Sequence, residues 1–232
     1  MKFRGKNYKN EASKIEKGKI YSKEEAVKLI KEISNTKFDS TVEVAMNLNL
    51  DVKKADQQLR GAIVLPKGTG KNVRVLVIAK GDNAKAAKEA GADYVGDNDM
   101  IDKISKENWF EFDTIIATPE MMPLLGKLGK VLGPKGLMPN PKTGTVTTNV
   151  EAAVKDAKGG KTLYRTDSFG NIHGIIGKVS FSEADLIENL DAFVGAILRA
   201  KPTTAKGTYV KSISICSTMS PAVKIDQNNF DN

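Results

Sequence analysis

The residues of this chain best suited to chemistry are short hydroxyl side chains and isolated charges, gathered where alternating segments run out into loops. In KFDSTVEVAM the apolar set begins at Val42, so Thr41 and Glu43 project from the opposite face, with Phe38 and Ser40 just ahead of them. HGIIGKVSF reads as a strand in which Val179 and Phe181 point inward, Lys178 and Ser180 point outward, and His173 sits upstream between glycines and apolar residues. In KSISICSTMS, Ile213 and Ile215 point inward and the strand runs out into Ser217, Thr218, Met219 and Ser220. Hydroxyls, bare backbone, one Lys and an apolar group suit RNA, whose shallow groove is read through ribose hydroxyls and sugar-phosphate. The same Ser and Thr residues also fit an ordinary solvated strand face. Glu43 would be repelled by phosphate unless it accepts a hydrogen bond from a ribose hydroxyl or an amino group.

Catalytic chemistry finds less support. A P-loop needs a glycine five residues before its Gly-Lys-Thr, so that backbone amides can wrap a phosphate. Ahead of Gly160-Lys161-Thr162 that position is Lys155. Gly68 and Gly70 begin a G-x-G, but Val73 takes the third glycine position and the strand follows the loop instead of preceding it. His173 is the only histidine and no G-x-S-x-G accompanies it. Cys216 is the only cysteine, which excludes an internal disulfide and any cysteine-based metal cluster. No cofactor or metal is expected. A nucleotide-dependent enzyme built on the middle of the chain is the alternative reading.

Elements that could position these residues follow from periodicity. Ser22 with Glu25 reads as a capping box for a helix carrying Ala26, Leu29, Ile30 and Ile33 on one face. Val42, Val44, Met46, Leu48 and Leu50 alternate with mostly polar residues, the mark of a half-buried strand. A short strand, GAIVLP, ends at Pro66. From Asn72 the pattern changes to VRVLVIA, NAKAAKEAG, ADYVG, a helix from Met100 to Lys106, and DTIIAT, which is alternating strand and helix with buried parallel strands. A helix starting near Glu120 gives way to a long glycine- and proline-rich loop, followed by a strand at Gly144 to Thr147 and a helix at Val150 to Lys158. YRTD reads as a further strand. A helix from Glu183 to Ala200, opened by Ser182, carries a wide apolar stripe and stops before Pro202.

The expected fold is an α+β domain, an antiparallel sheet with packed helices over residues 1–66 and 160–232, interrupted by an inserted α/β Rossmann-like three-layer domain over residues 67–159. The two passages, with Pro66, Gly68 and Gly70 on one and Gly159 and Gly160 on the other, would form a double-stranded hinge. The 232 residues suit two modest domains, and 36 Lys and Arg against 28 Asp and Glu leave a formal charge of +8, which favours an anionic partner. The start of the chain, including a basic arm from Lys2 to Lys19, has no apolar signal-peptide core, and no segment has the apolar length of a membrane span. A cytoplasmic location without a membrane partner is expected.

Five stretches carry a resemblance: KFDSTVEVAMNL, KADQQLRGAIVLPKGTGK, LGKLGKVLGPKGLMPNPKTGTV, IHGIIGKVSF and KGTYVKSISICSTMSP. In this order they resemble the signature stretches of the bacterial ribosomal protein L1 family, over nearly the whole chain. The resemblance implies a two-domain protein, monomeric off the ribosome, that binds a site in large-subunit ribosomal RNA. It would form the mobile stalk beside the transfer-RNA exit site and assist release of deacylated transfer RNA. It would also repress translation by binding its own messenger RNA. The implied contacts are Lys37, Phe38, Ser40, Thr41 and Glu43, then Lys178 and Ser180, then Ser217, Thr218, Met219 and Ser220, with His173 added as a polar contact on the same strand. Lys127, Lys130, Lys135 and Lys142 of the glycine-rich loop are expected as secondary RNA contacts. One departure stands out: Ser220 replaces the glycine that the family usually carries before Pro221. A positive φ there, or a close backbone approach to RNA, would make Ser220 costly.

Overall fold

The computed structural model describes residues 4–230, so the first residues of the basic arm, Lys2 among them, lie outside the described part. Its two compact units are residues 1–70 with 162–232, and residues 71–161. The chain runs through α1 (Lys6–Ser13), α2 (Lys23–Ile33), β1 (Thr41–Leu48) and β2 (Arg60–Val64). The central unit holds β3 (Val75–Ile78), α3 (Asp82–Glu89), β4 (Tyr94–Gly96), α4 (Asn98–Glu107), β5 (Thr114–Ala117), α5 (Met122–Gly126), α6 (Gly129–Leu132) and α7 (Val150–Lys158). Then come β6 (Lys161–Arg165), β7 (Asn171–Lys178), α8 (Glu183–Arg199), β8 (Val210–Ser217) and β9 (Val223–Ile225). The sequence patterning predicts no element inside the basic arm, where α1 forms.

In the discontinuous unit the antiparallel order is β7-β1-β8-β9. Val42, Val44, Met46 and Leu48 are buried at alternate positions and share one core with Ile30 of α2 and Leu190 and Phe193 of α8. Each such side chain contributes about 1.5–3 kcal/mol by leaving water. Leu50 falls beyond the strand and is only partly buried. Gly174 explains the glycine in HGII: a Cβ there would overlap the Phe193 ring, so the absence of a side chain lets α8 lie close against β7. Asn189 is the one polar residue on the buried stripe of α8. Its amide donates to the carbonyls of Ile176 at 2.8 Å and Gly68 at 2.9 Å, and its oxygen accepts the Lys67 amide at 3.0 Å. β2 and β6 pair as a separate ribbon, with the Thr166 amide donating to the Leu59 carbonyl at 3.0 Å.

The central unit carries a parallel sheet ordered β4-β3-β5. Every residue of β3 is buried because both faces are covered. Val75 and Val77 pack with Ala87 of α3 and Val154 of α7, while Leu76 and Ile78 pack with Ile104 of α4 and Leu125 and Leu132. Three expectations are corrected. Gly144 to Thr147 is not a strand: only Val146 bridges to Ala117, because Gly144 turns left-handed at φ 63° and Asn149 already caps α7. The glycine-rich segment is helical in part, since Leu125, Leu128 and Leu132 all reach the core at helical spacing. Finally, β7 stops at Lys178, and Val179 and Ser180 lie in a turn.

Candidate nucleic-acid interface

Three chain segments meet at one end of the antiparallel sheet. The register sets Thr41 opposite Lys178 and Val42 opposite Ser217. The Thr218 amide donates to the Thr41 carbonyl at 3.0 Å, and the Thr41 amide donates to the Thr218 hydroxyl at 3.2 Å. Lys178 Nζ donates to the Thr41 hydroxyl at 2.9 Å. The turn after β7 is held by Asp39, whose carboxylate accepts the Ser180 amide at 3.1 Å and the Ser180 hydroxyl at 2.7 Å. Asp39 is an organising residue that the sequence patterning leaves out; its position next to Phe38 in KFDS was the available signal.

Two hydroxyls expected at this surface are not exposed. Ser40 is 1% and Ser217 2% accessible. Ser217 is paired with the buried Val42, and paired residues point to the same side of an antiparallel sheet, so its side chain turns inward. Its hydroxyl has no hydrogen-bond partner. Ser40 instead shares a hydrogen bond of 2.7 Å with Ser34 at the end of α2.

The turn after β8 also departs from expectation. The left-handed residue is Met219, at φ 73°, and not Ser220. The Ser220 hydroxyl accepts the Ser217 amide at 2.9 Å and reaches the Ser217 carbonyl at 3.1 Å. The turn leaves Met219 78% exposed, and Phe38 is 59% exposed. A non-glycine residue in this conformation costs about 1–2 kcal/mol, and such strain gathers at functional sites. Lys37 is exposed beside Phe38, and Thr218 and Ser220 are partly accessible.

Glu43 and His173 lie further along the open face of the same sheet. Glu43 is opposite Ile175 on one side and Cys216 on the other, and His173 is opposite Ala45. Burial, followed by the Glu43 charge, pushes the Cys216 thiol up from its ordinary value. His173 Nε2 is 3.8 Å from Asp167, whose carboxyl is held low by hydrogen bonds from the Asn171 side chain and backbone. Among the described residues, no three His, Cys, Asp or Glu side chains are placed to hold a metal ion.

The remaining expected residues lie elsewhere. Lys127, Lys130, Lys135 and Lys142 are exposed in the central unit, with Lys135 Nζ 4.4 Å from the centre of the Phe110 ring. Gly68 and Gly70 have φ near 70°, Gly159 closes α7 through its amide to the Lys155 carbonyl at 2.7 Å, and Gly160 has φ 98°. Pro66 follows β2 directly after Leu65. Among the described residues no helix is long and apolar enough to cross a membrane.

The chain is similar to known proteins along most of its length. The model of the Ribosomal protein L1p/L10e family matches residues 30–221. The chain is 57% identical over 229 residues to the large ribosomal subunit protein uL1 of Limosilactobacillus fermentum, covering 99% of both chains. It is 60% identical over 223 residues to the protein of the same name from Phytoplasma australiense, covering 96% of this chain and 97% of the relative. With that of Aster yellows witches'-broom phytoplasma it shares 59% identity, covering 96% of both.

Proposed function

The chain belongs to the ribosomal protein L1p/L10e family, and on that premise we propose that it binds large-subunit ribosomal RNA through its discontinuous unit. It is a structural protein of the large ribosomal subunit and not an enzyme, which removes the nucleotide-dependent alternative. The observation that carries the RNA reading is the junction of Thr41, Lys178 and Thr218, with Phe38 and Met219 exposed beside it. Hydrogen bonds within the junction fix its shape before RNA arrives, so fewer side chains lose freedom on binding. Apolar groups at its rim can pack on sugar or base, and hydroxyls can meet ribose hydroxyls.

The remaining assignments extend this proposal. The central unit is an inserted Rossmann-like domain that moves about the passages near Pro66 to Gly70 and Gly159–Gly160. The protein with its RNA forms the mobile stalk and assists release of deacylated transfer RNA from the exit site. The same junction binds a like fold in the protein's own messenger and represses its translation. Binding to a large-subunit RNA transcript and to a scrambled control, measured across a salt series, tests the premise of all three. Preference for the cognate transcript at every salt concentration is the expected result. Equal binding to both RNAs would reduce the interaction to charge and sink the assignment.

A further inference from the structure

Helix α1 contributes no buried residue to the core. Together with the junction loops it encloses a groove of about 830 Å³, within the size range of ligand clefts, about 300–1,000 Å³. Arg4 and Tyr8 line it from the helix side, and Asn35, Lys37, Phe38 and Met219 line it from the loops. The Arg4 guanidinium lies 4.7 Å from the centre of the Tyr8 ring.

This lining combines rings, an amide and a net positive charge. Tyr8 and Phe38 offer ring faces, and Met219 a polarisable thioether held out by its left-handed backbone. Asn35 brings one amide, which both donates and accepts and can therefore read a polar edge. Arg4 and Lys37 supply two positive charges at the same place against the single carboxylate of Glu11, so the lining keeps a net positive charge. A saturated lipid chain would meet these cations and the amide instead of a continuous apolar channel. A nucleotide matches all three: a flat base for the rings, a polar edge for the amide and a phosphate for the cations.

We propose that the groove holds one unpaired nucleotide of the bound RNA, turned out of its helix, with its base against Tyr8, Phe38 and Met219. The inference rests on the RNA-binding reading above and names the part of the RNA that α1 recognises. An unpaired nucleotide is the favoured occupant because turning out a paired one costs several kcal/mol more by order of magnitude.

The test uses the full chain and a cognate transcript in which each unpaired nucleotide is replaced in turn by an abasic residue. One position should weaken binding about tenfold, the scale of losing one base–aromatic stack. In Tyr8→Ala and Asn35→Ala, which alter no buried residue, the intact transcript should bind about tenfold more weakly and the same abasic position should bring little further loss. If the chain prefers cognate over scrambled RNA but no abasic position weakens it, or if the abasic loss persists undiminished in both variants, the groove assignment is wrong while the RNA-binding reading stands. Equal binding of cognate and scrambled RNA overturns both.

Discussion

The Ser220 hydroxyl accepts the Ser217 backbone amide at 2.9 Å and thereby closes a turn in which Met219, and not Ser220, is left-handed. A glycine at position 220 is therefore not needed here for backbone freedom. Ser220→Gly should lower stability by about 0.5–1.5 kcal/mol through the lost bond and leave RNA affinity no higher. Urea unfolding and a binding titration check both parts, and a gain in affinity would show that Ser220 does obstruct RNA.

Met219→Gly should separate stability from binding. Relief of the left-handed backbone raises stability by about 1 kcal/mol, an effect partly offset by the greater freedom of the unfolded chain. Loss of the exposed apolar side chain should weaken RNA binding several-fold. Parallel changes in the two quantities would contradict the division of roles.

Thr218 bonds to the Thr41 backbone through its own hydroxyl. Thr218→Val should weaken RNA binding roughly tenfold by loosening the junction, whereas Thr218→Ser, which keeps the hydroxyl, should stay close to the parent. Since no charge is removed, the salt slope should stay put in both. Equal affinity of the Val and Ser variants would remove the hydroxyl from the argument.

Lys127, Lys130, Lys135 and Lys142 are exposed and belong to the central unit. Replacing all four with Gln should change the salt dependence of RNA binding more than the preference for cognate over scrambled RNA. A collapsed preference at fixed salt would promote these residues to specific contacts.

Asp113 supplies a pH prediction. The Lys71 ammonium at 2.8 Å, with the Arg74 amide and guanidinium, holds its carboxyl down at about 2. A folded value below the unfolded one of about 4 stabilises the protein fully above about pH 4, and this contribution is lost as pH falls toward about 2. The stability gap between the parent and Asp113→Asn, measured by urea unfolding, should narrow over that window. A gap unchanged down to about pH 2 would deny the ion pair its role.

The period-2 run of β1 and the apolar stripe of α8 are legible in the sequence because each repeats one residue class at one spacing. The same spacing carries Ser217 inward after Ile213 and Ile215, yet a strand-end hydroxyl looks the same in sequence whether exposed or buried. Nothing in Ser-Thr-Met-Ser says which residue turns left-handed, since that depends on the Ser220 to Ser217 bond. Asn189 hides for a similar reason: its partners at Lys67, Gly68 and Ile176 come from two distant stretches of chain. The groove beside α1 is equally illegible, because Tyr8, Asn35 and Met219 come together only through the fold.

Gly70 sits at the chain's exit toward the central unit, with φ 70°, and a Cβ on it would lie 2.9 Å from Lys178 Cγ and from the Phe181 ring. Mutational drift at this position is thus constrained twice, by backbone and by space. A larger residue would be felt first at Lys178, beside Thr41, instead of in the exposed side chains of Lys67 and Lys71. Across descendants of this sequence, substitution at position 70 should therefore be accompanied by change at Lys178 or Phe181, so that the length of chain leading to one unit evolves at a pace set by the packing around Lys178 in the other.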